Sequence, residues 1–135
     1  MPVTNYHSVN GGIFGETNSS GRLSYLGDRN GCVLGTSLQN TSHPFTARYK
    51  PFGSSLAQSG VAPSFRWNGI WGIRAMDRNF SEYYVRARHY TTNPGSWTAR
   101  DPLWPLQPAY IYVNNNPLKY VDRNGMQLFA NRPFL

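Results

Sequence analysis

A mainly β fold of short antiparallel strands and hairpins is what this sequence predicts, and three observations predict it. Glycine (13) and proline (10) interrupt the 135 residues every few positions, the punctuation of tight turns. Tyr, Phe and Trp make up 15% of the chain, a strand-forming palette that a helical bundle does not need. Several runs between the breakers alternate with a period of two.

Taken in order, residues 1–20 are polar and rich in Gly, Asn and Ser, and they read as a poorly ordered lead-in. From Gly21 the texture changes. Leu23–Leu26 and Cys32–Leu34 flank Asp28-Arg29-Asn30-Gly31, and Asn-Gly between two apolar runs is a hairpin signal. Phe45, Ala47 and Tyr49 alternate with Thr46, Arg48 and Lys50, which predicts a half-buried strand ending at Pro51-Phe52-Gly53. Phe65-Arg66-Trp67-Asn68-Gly69 repeats the pattern of short strand and turn.

The longest stretch without Gly or Pro, Ile73 to Asn93, admits two readings. Ile73, Met76, Phe80, Tyr83 and Ala87 fit one helical face. Glu82 to Tyr90 also alternates as a strand, with Tyr84, Arg86, Arg88 and Tyr90 on one face and Tyr83, Val85, Ala87 and His89 on the other. The strand is favoured, with His89 as a packed core histidine. Asn93-Pro94-Gly95 then turns the chain into Ser96–Ala99, and the Pro-, Tyr- and Asn-rich run beyond Leu106 predicts irregular chain with at most one helical turn.

Composition narrows the function. Lys and Arg total 13 against 6 acidic residues, a net charge of +7, and eleven of the cations are arginine. They are spread singly along the chain, so no concentrated phosphate-binding footprint is visible, and a basic nucleic-acid-binding β domain stays a distant alternative. Cys32 is alone, and His7, His43 and His89 have no ligand-type spacing. No internal disulfide and no metal site are therefore expected. No cofactor is implied, no apolar run is long enough to span a bilayer, and no signal peptide is visible at the start. Trp67, Trp71, Trp97 and Trp104 read as buried anchors in preference to a base-stacking platform. Asp-Arg-Asn occurs at Asp28, Asp77 and Asp122. The unequal spacing excludes a strict repeat and predicts a recurrent turn, in which Asp accepts backbone amides and Asn takes the left-handed conformation.

Two further segments carry a family signature. Tyr83-Tyr84-Val85-Arg86-Ala87-Arg88-His89-Tyr90, followed by Pro94-Gly95-Ser96-Trp97 and Arg100-Asp101-Pro102, resembles the Rhs repeat-associated core. The match continues at Tyr110, Tyr112, Asn116-Pro117 and Gly125, and Gly21-Arg22-Leu23 and Tyr49–Gly53 are similar to the tyrosine-aspartate (YD) repeats of the same proteins. Bacterial Rhs polymorphic toxins, the C components of insecticidal toxin complexes and teneurins make up this family. The resemblance implies a curled partial sheet, a fragment of a β-shell that encapsulates a toxin. Residues 21–100 would supply YD-repeat-like hairpins, 101–126 an irregular capping segment and 127–135 a short tail. The partners implied are other shell segments, or self-association through open strand edges. The family suggests a bacterial protein that is secreted or at the cell surface.

One constellation has possible chemistry. Many bacterial members cleave themselves after a second Asp-Pro-x-Gly-Leu motif, using core aspartates in an aspartyl-protease-like way. The resemblance carries this onto Asp101 and Asp122, with the scissile bond between Met126 and Gln127. Two carboxylates brought close cannot both ionise, so one holds a proton while the other activates water. Against this reading, Trp104, Arg123 and Met126 depart from the motifs, and Arg100 and Arg123 flank the aspartates as cations that oppose proton sharing. Nine residues follow the expected cut, too few for a toxin domain. The leading expectation is a structural cap without its toxin, with autoproteolysis as the alternative.

Overall fold

The computed structural model describes residues 3–19, 21–38, 42–76, 81–126 and 129–130. The first half is one six-stranded antiparallel sheet. It comprises β1 (Asn5–Val9), β2 (Gly12–Asn18), β3 (Gly21–Gly27), β4 (Val33–Leu38), β5 (Ser42–Tyr49) and β6 (Ser55–Gly60), paired in sequence order and not closed. The second half is a four-stranded sheet of β7 (Arg74–Ala75), β8 (Glu82–Val85), β9 (Arg88–Thr91) and β10 (Ser96–Trp97) in the order β10-β9-β8-β7. Irregular chain follows, with a 3₁₀ turn at Val113–Asn115 and a small ladder between β11 (Tyr120–Val121) and β12 (Phe129–Ala130).

The mainly β expectation is met, and so is the hairpin around Asn30-Gly31. Asp28 Oδ1 accepts the amides of Asn30 and Cys32, both at 2.9 Å, and this closes the turn between β3 and β4. Asp122 Oδ1 repeats the device on Asn124 (3.2 Å) and Gly125 (2.7 Å). In both turns it is the following glycine, not the asparagine, that takes positive φ: 84° at Gly31 and 77° at Gly125. The third copy, at Asp77, lies outside the described residues.

Several sequence expectations need correction. The lead-in of residues 1–20 contains two strands, β1 and β2, joined by a tight turn at Asn10-Gly11. Gly15 in β2 serves close approach, since a Cβ there would stand 2.6 Å from the Leu23 carbonyl oxygen across the ladder. Around Phe65 there is only an isolated bridge to Arg74, and Asn68-Gly69 leads into a 3₁₀ turn.

The third correction reorganises the second half. Glu82 to Tyr90 is not one strand but the hairpin β8–β9, with Val85 opposite Arg88 and Tyr83 opposite Tyr90. A two-residue connection shifts the parity, so Tyr83, Val85, Arg88 and Tyr90 face inward together while Tyr84, Arg86, Ala87 and His89 are exposed. His89 is therefore not a core histidine; it meets Tyr84 edge-on at 5.6 Å on the outer face.

The inward set joins the main core, which also holds Trp67, Trp71, Ile73, Trp97 and Tyr112. Trp67 stacks on Tyr90 with centroids 4.9 Å apart, and Tyr112 lies 4.8 Å from Tyr90. Buried phenols need acceptors, and these use the first half's backbone: Tyr83 donates to the Gly53 carbonyl at 3.2 Å, Tyr90 to that of Phe52, and Tyr49 to that of Val33 at 2.7 Å. The aromatic core thus grips the β5–β6 turn. Trp104 departs from the expectation of four buried tryptophans. It stands half-exposed in a surface turn under the Arg100 guanidinium, 4.9 Å from its centroid.

Candidate functional site

The β8–β9 turn is an unusual one, because Arg86 rather than Gly or Asn takes its positive φ of 49°. Support comes from 37 residues downstream. The Ala87 amide donates to the Asn124 carbonyl at 3.1 Å, and Arg88 Nε donates to that of Gly125. Gly125 lies so close that a Cβ would stand 2.4 Å from the Val85 carbonyl oxygen. The segment carrying Asp122 is therefore seated on the hairpin that carries Arg88.

Arg88, first in β9 and buried, joins the two aspartates. Its Nη2 lies 3.4 Å from Asp101 Oδ2 and 3.6 Å from Asp122 Oδ2. Each aspartate uses its other oxygen to hold its own turn, Asp101 Oδ1 accepting the Leu103 amide at 2.7 Å and Asp122 Oδ1 those of Asn124 and Gly125. The guanidinium sits over Trp97, its Cζ 4.0 Å from the ring centroid, while Nη1 is buried without a hydrogen-bond partner. Tyr112 Oη accepts the Asp122 amide at 3.4 Å and the Asn68 side-chain amide at 3.2 Å. This chain of contacts reaches Cys32, whose thiol lies 3.7 Å from Asn68 Oδ1.

Two carboxyl groups and one guanidinium share this buried site. Burial raises the Asp122 pKa, while the amides of Gly125 and Asn124 and the Arg88 charge pull the other way. Desolvation also lowers the Arg88 pKa, against the pull of both aspartates. Beside them is a cleft of about 20 Å³ lined by Arg88, Trp97, Asp101, Val113, Asn114 and Asp122 among others, enough for one water molecule.

The sequence expected Asp101 and Asp122 as a pair, and the fold brings both to one guanidinium. It expected Arg100 and Arg123 as the flanking cations, which is corrected: Arg100 stacks on Trp104 and Arg123 on Trp71, its guanidinium 3.6 Å from the ring centroid. Arg88 holds that role. The hidden turn concealed it, since an unbroken strand would put Arg88 beside Arg86. Of the other motif residues, Tyr83, Tyr90, Trp97, Tyr112, Pro117 and Gly125 are buried, whereas Tyr84, Arg86, Pro102, Tyr110 and Asn116 are exposed. Met126 is exposed, and Gln127, the other side of the expected scissile bond, lies outside the described residues.

No family model and no curated protein matches the chain. Solved structures do. The crystal structure of TcdB2-TccC3-Cdc42 superposes with a TM-score of 0.73 at 17% identity, covering 93% of this chain and 6% of that one. TcdB2-TccC3 without its hypervariable C-terminal region gives 0.71 at 17% identity over the same shares, and TcdB2-TccC3 gives 0.71 at 18%, covering 93% and 7%. The chain shares its fold with a slice of the TcdB2-TccC3 toxin-complex chains. This agrees with the resemblance of residues 21–126 to the Rhs core, whose family takes in the C components of such complexes. The chain spans only 6–7% of the length of the matched chains, and at such low identity the likeness is one of fold.

Proposed function

We propose that the chain serves as a wall-and-cap segment of an Rhs-type β-shell. In this reading the hairpins contribute wall, and residues 101–126 close one end of a shell that other YD-repeat segments complete. One observation carries it: the capping segment is locked onto the β8–β9 hairpin through Arg88, Asp101 and Asp122, while the six-stranded sheet ends at β1 and β6 without closing. A nucleic-acid role has less support, because Arg88, Arg100 and Arg123 engage the chain's own carboxylates and rings. The test is a chimaera in which this chain replaces the matching slice of the TcdB2-TccC3 chain. A soluble, protease-resistant complex is expected; a chimaera that is degraded or fails to assemble refutes the reading.

A second reading, autoproteolysis after Met126, draws on the approach of both carboxyl groups to one cleft with room for a single water, while the Arg88 cation between them opposes proton sharing. There Asp101 would take a proton from water as its oxygen adds to the Met126 carbonyl carbon. Asp122, its pKa raised by burial, would supply a proton as the C–N bond breaks and the Gln127 amine leaves. Intact-mass measurement decides. Loss of Gln127–Leu135, abolished by Asp101→Asn and by Asp122→Asn, supports cleavage; a full-length mass rejects it.

A further inference from the structure

The two sheets treat their edges differently. On the four-stranded sheet, β7 is covered by Phe65, which bridges Arg74, and β10 by Ile111, which bridges Ser96. Among the described residues nothing pairs with the outer side of β1 or β6. Exposed edges are ordinarily blunted by Lys, Pro or other charge. Here β1 reads Asn-Tyr-His-Ser-Val and β6 Ser-Leu-Ala-Gln-Ser-Gly, with no Lys, Arg, Asp, Glu or Pro in either. Val9 and Leu56 stand 59% and 64% exposed along them.

Six strands in strict alternation leave β1 and β6 running in opposite directions. A second copy that lays its β1 against β6 therefore continues the antiparallel ladder. Pairing β6 with β6 also gives an antiparallel contact, but it leaves both β1 edges bare. Pairing β1 with β1 leaves both β6 edges bare. We propose that copies of this chain associate head to tail, β6 of one pairing with β1 of the next, so that the occupant of each open edge is a second copy of the same chain. The proposal rests on the shell reading in taking the sheet as one built for extension. As a heterologous contact it makes open strings, not closed dimers.

The test uses the full chain and two edge blocks, Val9→Lys and Leu56→Lys, with near-ultraviolet circular dichroism of the buried tryptophans to verify folding. Light scattering on the wild type should show species that grow with concentration beyond a dimer. Each variant alone should be monomeric, since one of its two edges is closed. An equimolar mixture should yield a one-to-one dimer and nothing larger, because each variant keeps the edge the other has lost. A monomeric wild type, dimers of either variant alone, or no complex in the mixture overturns the proposal. Should either variant fail to fold, Ser8→Lys and Gln58→Lys close the same edges and read the same way. The chimaera test is independent of these outcomes, so the shell reading and the head-to-tail contact fail separately.

Discussion

The two halves of the molecule are held by different forces. The core around the four-stranded sheet gathers, among the described residues, eleven buried side chains dominated by Trp and Tyr, whereas the six-stranded sheet has clusters of three (Tyr25, Val33, Ile70) and two (Phe45, Ala47). The first half compensates with pairing, since five successive antiparallel ladders join its strands. Packing is finite and saturates when a core is full. Ladder hydrogen bonding is open-ended at each edge, so a sheet secured by pairing can be extended without disturbing what it already holds. The division is what the proposed wall-and-cap reading requires.

The sharpest way to break the contrast is Arg88→Ala. It leaves the carboxylates of Asp101 and Asp122 buried without their cation, and removing one partner of a buried ion pair costs about 3–5 kcal/mol. The corresponding polar change in the six-stranded sheet is Tyr25→Phe, which takes a 2.8 Å hydrogen bond from buried Glu16, at about 1 kcal/mol. Guanidinium denaturation should separate the two. The Arg88 effect should also depend on pH. Burial already raises the Asp122 pKa, and loss of the opposing Arg88 charge raises it further, so the stability of its protonated form is present at low pH and lost as pH rises. The deficit should therefore be larger at about pH 7 than at about pH 4.5. An equal deficit at both would mean that Arg88 acts through its packing on Trp97 alone.

A smaller loss is expected from Gly125→Ala, about 2–3 kcal/mol, from positive φ and a collision with the Val85 carbonyl together. It should loosen the segment carrying Asp122 first. Hydrogen exchange should show faster exchange at Ala87, whose amide is held by Asn124, and little change in β3 and β4. Uniform acceleration across both sheets would show the halves to be one cooperative unit.

Much of this was legible in the residues, and the failures share a cause. Local chemistry announced the β3–β4 hairpin, because Asn-Gly carries its own conformational preference. Period-two alternation announced β5. The β8–β9 turn has no such mark, since Arg86-Ala87 becomes a turn only when Asn124 and Gly125 supply its hydrogen-bond partners. Missing it inverted the parity of everything after Val85, which sent His89 inward and Arg88 outward. The pairing of Asp101 with Asp122 was anticipated from a family likeness, but the cation between them was assigned to sequence neighbours, Arg100 and Arg123. Neighbours in sequence point apart on turns, and the true partner arrives from a strand. The lead-in was misjudged for a related reason: Gly15 weakens an isolated strand, yet it permits close approach once a partner ladder exists.

The smallest expected effect tests whether the core seals the junction between the halves. Cys32 stands just before β4, and its thiol contacts Asn68, which leads to Tyr112 and the Asp122 amide. Burial pushes the thiol from its ordinary 9.0 up to about 12, with the nearby Asp28 charge adding to the rise. A group with a raised folded pKa stabilises fully below its unfolded pKa, and that contribution is lost as pH climbs through the folded value. Between pH 9 and 12 the unfolded chain gives up this proton and the folded chain keeps it, so stability should fall by roughly 1.4 kcal/mol per pH unit from Cys32 alone. The buried tyrosines Tyr90 and Tyr112, whose pKa values are also raised by burial from 10.0, add to the decline only at higher pH. Denaturation of the wild type and Cys32→Ala between pH 9 and 10 isolates the thiol. The variant should start less stable and lose stability more slowly, so that the two curves converge. Parallel curves would mean that solvent reaches the thiol, and that the aromatic core does not close over the seam between the two sheets.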